Sequence, residues 1–248
     1  IRDFCLSRGL GDVYKRQLKS VTKLFSEKRN IIFIPHSSPD ADALGSCLAL
    51  YHFFKSKNGV NIISPNEYTE ILNFLPGSEN ILNYERDKEK CENIFNKGDV
   101  IFTLDFNSLS RARNLSSLIS KSSATTIMID HHENPNNYAD ITISNSRMSS
   151  TCEMIYHFID KMGDSNKIDK NISRSLYAGI MTDTGSFKFP STTELTHQVI
   201  SNLLKTGISH SEIHNHIYDN NKFERVQLLS YALSKIKIVE NLNTCYIS

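Results

Sequence analysis

Carboxylate and imidazole side chains follow apolar segments of this sequence at short distances along the chain. The apolar segments are IIFIP at residues 31–35, VIFTL at 100–104 and TIMI at 126–129. The polar residues that follow them are His36, Asp40, Asp42, Asp105, Asp130, His131 and His132. Hard oxygen ligands mixed with imidazole are a ligand set for Mn²⁺ or Mg²⁺ rather than for a thiolate-bound structural zinc ion. These residue types therefore favour metal-assisted chemistry.

The carboxylates of this group need a compensating cation. Several of them at one place repel each other and raise each other's pKa unless a cation holds them. If one carboxylate bridges two ions about 3.5–4 Å apart, the pair clamps an in-line displacement at phosphorus and activates water near neutral pH. A single such residue more often caps a helix or bonds a turn, and Asp42 has that alternative as a helix N-cap. Gly45 and Ser46 keep the following helix small, which leaves room for a ligand.

Strand and helix patterns alternate through the first part of the chain. Apolar, β-branched runs predict parallel strands over Ile31–Pro35, Val60–Ser64, Val100–Leu104, Thr126–Ile129 and Asp140–Ile143. Helical patterns between them cover Asp42–Lys57, Glu67–Leu75, Lys88–Lys97 and Ala112–Ser120. This alternation predicts an α/β fold with a doubly wound, mainly parallel sheet and flanking helices. Right-handed crossovers place the carboxyl ends of the strands at one edge, where open α/β sheets bind ligands.

The pattern after about residue 149 is helical. Ser150 and Glu153 have the spacing of a capping box, which satisfies two backbone N–H groups at the start of a helix. Further helical patterns cover Ile172–Met181, Thr193–Lys205, Ser209–Tyr218 and Phe223–Ile236, and the last residues read as a strand, a turn at Glu240 to Asn243 and a second strand. We predict a catalytic domain at 18–190, a helical linker region at 191–235 and the beginning of a truncated second α/β domain at 236–248. Residues 1–17 lack an initiator Met and any periodicity, and we predict that they are a non-native segment, with a native disordered tail as the alternative.

The composition excludes several classes of protein. Lys and Arg number 28 against 27 Asp and Glu in 248 residues, so no basic field indicates general nucleic-acid binding. The five cysteines form no CxxC pair, which argues against a disulfide framework and favours a reducing cytoplasm. No apolar run approaches the roughly 20 residues of a membrane span, and nothing at the start is typical of a signal peptide. We therefore predict a cytoplasmic globular protein without a membrane segment.

Four segments resemble, in order and spacing, the motifs of the DHH phosphoesterase superfamily. They are HSSPDADALGS, Asp105 within TLDFNSLSR, the tripeptide DHH at 130–132, and GIMTDTGSF, which contains Asp183. The resemblance covers about residues 20–189. Within the superfamily the chain looks most like the stand-alone oligoribonucleases that also remove the 3′-phosphate from pAp, the nanoRNase/pAp phosphatases. Spacing alone does not place Asp183 in the site, whereas the resemblance does.

The resemblance implies a role for each of these residues. The metal ligands that it implies are His36, Asp40, Asp42, Asp105, His131 and Asp183. By this resemblance, His36 and Asp40 hold one Mn²⁺ ion. Asp42, His131 and Asp183 hold a second ion, and Asp105 bridges the two. Mg²⁺ is the alternative metal. Asp130 then orients the neighbouring imidazoles. His132 contacts the scissile phosphate or helps to protonate the leaving oxygen.

Other arginines and histidines are candidates for the same site. Arg111 and Arg147 could hold phosphate as bidentate donors, but solvated surface arginines are more common, and neither is assigned to the site. His210, His214 and His216 approach metal-ligand spacing on a helix. No carboxylate of matching phase accompanies His210 and His214 except Glu212, which points elsewhere, so we interpret these histidines as surface residues.

The resemblance also implies an activity. It is the Mn²⁺-dependent hydrolysis of short oligoribonucleotides to mononucleotides and removal of the 3′-phosphate from pAp. The partners are then short RNA and pAp, no membrane is involved, and a homodimer is left open. A family II type inorganic pyrophosphatase uses the same dinuclear architecture and is the first alternative. A catalytically inactive DHH module that binds nucleotides is the second.

Members of this family carry a second domain with a glycine-rich GGGH-type segment that binds substrate, whereas the last glycine here is Gly207. We expect this chain to bind Mn²⁺ and to cleave short oligonucleotides far more slowly than a longer chain that includes such a domain. Orientation of the substrate contributes several kcal/mol to rate enhancement, and this chain would lack part of it. Turnover of a short oligonucleotide by both chains is the measurement, and equal turnover would contradict the expectation.

Overall fold

The described part of the chain forms two compact units, which divide between His210 and Ser211. A computed structural model of the protein describes residues 21–22, 24–25, 27–56, 58–220 and 222–247. The segment 1–17, predicted to be non-native, lies outside the described residues. The division between the units falls inside the predicted linker region 191–235, and the domain assignment itself stays a prediction.

A parallel sheet forms the centre of the first unit. Its strands are β1 Asn30–Pro35, β2 Gly59–Ser64, β3 Ile81–Asn83, β4 Val100–Leu104, β5 Thr125–Asp130 and β6 Ile141–Ser144. In the described part of the chain these six strands have the order β3-β2-β1-β4-β5-β6, and every neighbouring pair is parallel. The predicted α/β class with a parallel sheet is confirmed, as are the five predicted strands. The strand β3 has three residues, too few to produce a sequence pattern.

Helices lie between and after the strands. They are α1 Ala41–Phe54, α2 Lys88–Phe95, α3 Leu115–Lys121, α4 Thr151–Lys161, α5 Lys170–Asp183, α6 Glu194–Leu204 and α7 His210–His214. The helix predicted over Glu67–Leu75 is wrong, because a short 3₁₀-helix, Glu70–Phe74, forms there instead. No side chain in the described ranges caps its start, and Leu75 is extended because it precedes Pro76, which disfavours helical backbone.

The two faces of the sheet bury different sets of apolar side chains. Along β1, Ile32 and Ile34 join the apolar cluster that includes residues of α2 and α3. The neighbouring Phe33 belongs to the other face, where its ring centroid lies 6.3 Å from that of Phe54 in α1 and 5.4 Å from that of Phe102 in β4. Burial on both faces explains why the strands are continuous apolar runs rather than alternating ones.

Helices α1 and α5 pack closely against each other at Gly45. A Cβ atom at this position would lie 2.5 Å from the backbone oxygen of Ser175 and 3.0 Å from Sγ of Cys152. Ser46 is fully buried, with its Oγ 3.4 Å from the same sulfur. The interpretation that these small residues leave room for a ligand is therefore wrong, because helix α5 and Cys152 occupy that space.

The second unit contains a helix followed by a hairpin. Helix α8 spans Phe223–Ser234, and the antiparallel strands β7 Ile236–Val239 and β8 Thr244–Ile247 follow it. A 3₁₀ turn at Glu240–Leu242 and the left-handed Asn243, at φ +45°, connect the strands, as the sequence predicted. In the described ranges, every helix is too short or too polar to cross a lipid bilayer.

Gly45→Ala should destabilise the protein by about 1–3 kcal/mol, because its Cβ would collide with a backbone carbonyl that cannot rotate away. This cost should exceed the roughly 1 kcal/mol that alanine gains over glycine within a helix. Gly59→Ala is the matched control, since its Cβ would meet the movable Oδ1 of Asn30 at 2.6 Å. Urea unfolding of both variants measures the difference, and equal midpoints would contradict the tight packing of α1 on α5.

Candidate metal centre

Strand register brings the polar strand ends side by side. Pro35 of β1 pairs with Leu104 of β4, and Leu104 pairs with Ile129 of β5. His36, Asp105 and Asp130 therefore project from the carboxyl ends of adjacent strands. The strand order reverses between β1 and β4, and the crevice at such a reversal is where open α/β sheets bind ligands.

The first group of donors consists of His36, Asp40 and Asp105. Nδ1 of His36 donates a hydrogen bond to the backbone oxygen of Ser37 at 2.8 Å, which turns Nε2 toward the carboxylates. Among the described residues that buried Nε2 has no hydrogen-bond partner, and it lies 3.6 Å from Oδ2 of Asp40 and 3.5 Å from Oδ2 of Asp105. Two ligands of one ion, each about 2.1 Å from it, stand about 3–4 Å apart, so this spacing fits a shared cation.

Asp40 also determines where helix α1 begins. Its Oδ1 accepts hydrogen bonds from the backbone N–H groups of Asp42 and Ala43, both at 3.0 Å. The alternative role of Asp42 as the N-cap is therefore wrong, because Asp40 caps the helix and Asp42 lies in its first turn. The cap leaves Oδ2 of Asp40 facing His36.

The second group consists of Asp42, His131 and Asp183. Nδ1 of His131 donates to the backbone oxygen of Met148 at 3.3 Å, so Nε2 again points at carboxylates. It lies 3.1 Å from Oδ2 of Asp183 and 4.0 Å from Oδ2 of Asp42. The donor atoms of each of the two groups lie within 4.8 Å of one another. Asp183, which spacing alone could not place, comes from the last residue of helix α5.

Asp105 lies between the two groups. Its Oδ2 is the oxygen near His36, while its Oδ1 lies 3.7 Å from Nε2 of His131. The Oγ1 of Thr151 donates to Oδ1 at 2.8 Å. The backbone of Asp105 has φ +65°, a left-handed conformation that costs a non-glycine residue about 1–3 kcal/mol. This carboxylate is therefore oriented to serve both groups at once.

The start of helix α4 holds the buried carboxylate of Asp42. The backbone N–H groups of Thr151 and Cys152 donate to its two oxygens at 2.7 and 2.8 Å. The positive end of a helix dipole stabilises a carboxylate at this place. Sequence reasoning missed Thr151 as a site residue, although Ser150, a helix cap soon after a strand end, is a signal that a helix begins at this edge.

The predicted capping box at this helix is half formed. Ser150 accepts a hydrogen bond from the backbone N–H of Glu153 at 3.0 Å, as predicted. The Glu153 carboxylate does not return to the backbone of Ser150, because it accepts hydrogen bonds from the backbone N–H of Ser149 at 3.3 Å and from Oγ1 of Thr196 at 3.1 Å. The buried carboxylate thus connects helix α6 to the segment that precedes α4.

The charges of the two groups change their protonation. Burial alone would lower the pKa of His36, but contacts with Asp105 and Asp40 outweigh it and raise that pKa to about 10. Burial is likewise outweighed at His131, where Asp183 and Asp42 raise the pKa to about 10. For the Asp42 carboxyl, burial raises the pKa well above its usual value, and the nearby charges of Asp105 and Asp183 add to the effect. Without a metal ion, protons supply the positive charge that this centre requires.

Asp130 holds His132 rather than His131. Its Oδ1 accepts a hydrogen bond from Nδ1 of His132 at 2.7 Å, and its Oδ2 accepts one from the backbone N–H of the same residue at 3.2 Å. The expectation that Asp130 orients both imidazoles is therefore wrong for His131, which the backbone oxygen of Met148 orients. On its far side, Nε2 of His132 lies 3.2 Å from Nη1 of Arg111.

The strand order and the paired donor groups define an α/β protein with a site at the carboxyl edge of its sheet that could hold metal ions. The chain belongs to the DHH family: residues 30–180 match the DHH family, N-terminal domain. A crystal structure of an exopolyphosphatase-related protein from Bacteroides fragilis is 38% identical, with a TM-score of 0.91 over 94% of this chain and 69% of that chain. The predicted family is confirmed.

Curated relatives show the same relationship. The bifunctional oligoribonuclease and PAP phosphatase NrnA of Bacillus subtilis is 29% identical over 85% of this chain and 64% of the relative. The uncharacterized protein MG371 of Mycoplasma genitalium is 31% identical over 90% of this chain and 66% of the relative. The chain thus spans just under two thirds of the length of these relatives. A putative family II inorganic pyrophosphatase from Methanococcus jannaschii, 19% identical with a TM-score of 0.55 over 75% of this chain and 61% of that chain, shares the fold.

Mn²⁺ binding should release protons, because His36 and His131, with pKa values of about 10, are protonated at neutral pH and must lose a proton to bind a metal. The affinity for Mn²⁺ should therefore rise from about pH 6 to about pH 9. Calorimetric titration in buffers of different ionisation enthalpy counts the protons. His52→Gln is the control and should leave the number of released protons unchanged, because burial lowers the pKa of His52. A pH-independent affinity without proton release would contradict this assignment.

Proposed function

We propose that this protein is a metal-dependent phosphoesterase that hydrolyses short oligoribonucleotides to mononucleotides and removes the 3′-phosphate from pAp. The observation that carries the proposal is the position of Asp105, whose two oxygens face two separate groups of carboxylate and imidazole donors. A site that needed one cation would require only one of these groups. Membership of the DHH family supports hydrolysis of a phosphoester.

The donor set fits two divalent cations of the Mn²⁺ or Mg²⁺ type. It consists of carboxylate oxygens and the Nε2 atoms of His36 and His131, whose Nδ1 atoms are engaged by backbone oxygens. In the proposed assignment, His36 and Asp40 serve one ion, Asp42, His131 and Asp183 serve the other, and Asp105 serves both. When bound, such ions supply polarisation of the phosphoryl group and activation of water near neutral pH.

The chain's own residues orient and enclose this centre. Thr151 and Cys152 hold Asp42 through the backbone, and the Thr151 hydroxyl holds Asp105, so both carboxylates are oriented before a ligand arrives. Asp42 is fully buried and Asp105 is nearly so. Burial excludes water from the protein side of the site and strengthens electrostatic interactions with a bound phosphate.

The choice of nucleotide substrates rests on relatives. The Bacillus subtilis relative is named for oligoribonuclease and PAP phosphatase activities and is similar over 85% of this chain. The likeness to the pyrophosphatase is a likeness of fold. Against an inactive module, all the predicted ligand side chains are present and converge, and a binding module would not require two complete donor groups.

His36→Gln and Asp42→Asn should each remove one Mn²⁺ ion from the protein, but different ones, because the two residues belong to separate donor groups. Each change should lower hydrolysis of pApA and pAp by at least about 100-fold, the usual cost of losing one charge-stabilising contact in an active site. Manganese stoichiometry and chromatographic product analysis are the measurements.

Asp160→Asn, which removes an exposed carboxylate at the end of helix α4, is the matched control and should keep both ions and full activity. A wild-type protein that binds two ions and hydrolyses pyrophosphate, but neither pApA nor pAp, would favour the pyrophosphatase alternative. Retention of both ions and of activity by the Asp42→Asn variant would contradict the proposed centre.

A further inference from the structure

Arg111 lies in a short 3₁₀-helix, Leu109–Ala112, beside the DHH tripeptide. We infer that the Arg111 guanidinium binds a non-bridging oxygen of the scissile phosphate. Asp130 and His132 form a hydrogen-bonded pair that positions this guanidinium. This inference deepens the proposed function and depends on the centre acting on a phosphoester. It gives a role to one of the two arginines that the sequence left unassigned.

The hydrogen bonds around His132 have a determined direction. A guanidinium only donates, so Nε2 of His132, 3.2 Å from Nη1 of Arg111, must be the acceptor and carries no proton. Nδ1 must then carry the proton and donate it to Oδ1 of Asp130 at 2.7 Å. The chain of donors runs from Arg111 through His132 to the fully buried Asp130. In this arrangement Nε2 has no proton to give to a leaving group.

The backbone of Arg111 is fixed to the other side of the centre. Its carbonyl oxygen accepts a hydrogen bond from the backbone N–H of Ser37 at 2.7 Å. Ser37 is the residue whose own carbonyl orients His36. Arg111 is therefore attached through its backbone to the loop of the first donor group and through its side chain to His132, which reduces the entropy lost on binding phosphate.

Charge and position favour an anionic ligand for Arg111. Nδ1 of His132 lies 3.7 Å from Oδ1 of Asp105, the carboxylate between the two donor groups, so the His132–Asp130 pair lies next to the metal centre. Among the residues that the structure describes, the Arg111 side chain has His132 as its hydrogen-bond partner and forms no ion pair with a carboxylate. Its remaining N–H groups can donate to phosphate oxygens, a geometry that a planar guanidinium suits better than an ammonium group does.

The two arginines considered from the sequence are separated by these contacts. Arg147 is exposed, and its backbone N–H bonds to Oδ1 of the nearby Asn145. Arg111 is half-buried at the edge of the donor groups. His132, expected to contact the phosphate or protonate the leaving oxygen, becomes a positioning residue, and the direct contact with phosphate passes to Arg111.

The test compares Arg111→Gln, Arg111→Lys and His132→Gln with Arg113→Gln, a control that removes an exposed positive charge two residues further along the chain. Binding of inorganic phosphate to the Mn²⁺-equilibrated protein and binding of Mn²⁺ itself are both measured by calorimetry. Hydrolysis is measured with pApA and with a 4-nitrophenyl phosphodiester. The 4-nitrophenolate leaves without protonation, so loss of a general acid spares this ester.

Arg111→Gln should weaken phosphate binding at least about tenfold, the usual loss for a hydrogen bond to a charged group. Hydrolysis of both esters should fall together, while Mn²⁺ affinity stays at the wild-type value. Arg111→Lys should be intermediate, because it keeps the charge and loses the planar donors. His132→Gln should weaken phosphate binding and lower both hydrolysis rates by similar factors. Arg113→Gln should behave as the wild type.

Wild-type phosphate affinity in Arg111→Gln would overturn the inference. Loss of Mn²⁺ binding in both Arg111→Gln and Arg111→Lys would overturn it too, because such a loss indicates a structural role for Arg111. If His132→Gln lowers the hydrolysis of pApA but not that of the nitrophenyl ester, His132 is the proton donor, and its role in positioning Arg111 is wrong. If the wild type cleaves the nitrophenyl ester but neither pApA nor pAp, the proposed substrates are wrong. In that case, calorimetric phosphate binding by Arg111→Gln alone tests the role of Arg111.

Discussion

The buried carboxylate of Asp42 is the group on which the arrangement of this protein depends. A buried carboxyl group without hydrogen-bond partners costs several kcal/mol, so its partners must be supplied by the fold. Two backbone N–H groups at the start of α4 supply them, and these lie 109 and 110 residues further along the chain. The contact brings α4 to the carboxyl edge of the sheet, where the hydroxyl of Thr151 can also reach Asp105.

Close helix packing follows from the same requirement. A Cβ at Gly179 would lie 2.3 Å from Sγ of Cys152 and 2.8 Å from Oδ1 of Asp42, so helix α5 can approach Asp42 only through a glycine. Asp183 lies four residues later on the same face of α5, which brings its carboxylate to His131 at 3.1 Å. Packing of α5 on α1 thus completes the second donor group, which the strands alone could not supply.

Much of the fold and part of the centre could be predicted from local patterns. Buried parallel strands are continuous apolar runs, and their polar successors, such as His36 and Asp105, necessarily lie at the carboxyl edge. Local patterns failed where competing interactions decided the outcome. A short 3₁₀-helix that ends before the extended Leu75 and Pro76 replaced the helix expected over Glu67–Leu75, and contacts with Ser149 and Thr196 took Glu153 away from the capping box.

The fold class, the family and the chemical types of the donors could be read from the amino-acid sequence, because they depend on residue type and on position relative to strand ends. Which atoms face each other depends on the folded chain. In the tertiary structure Asp40 rather than Asp42 caps α1, Asp105 faces both groups, and Arg111 meets His132. Such pairings join residues far apart in the chain, and they depend on strand register and helix packing that no local pattern contains.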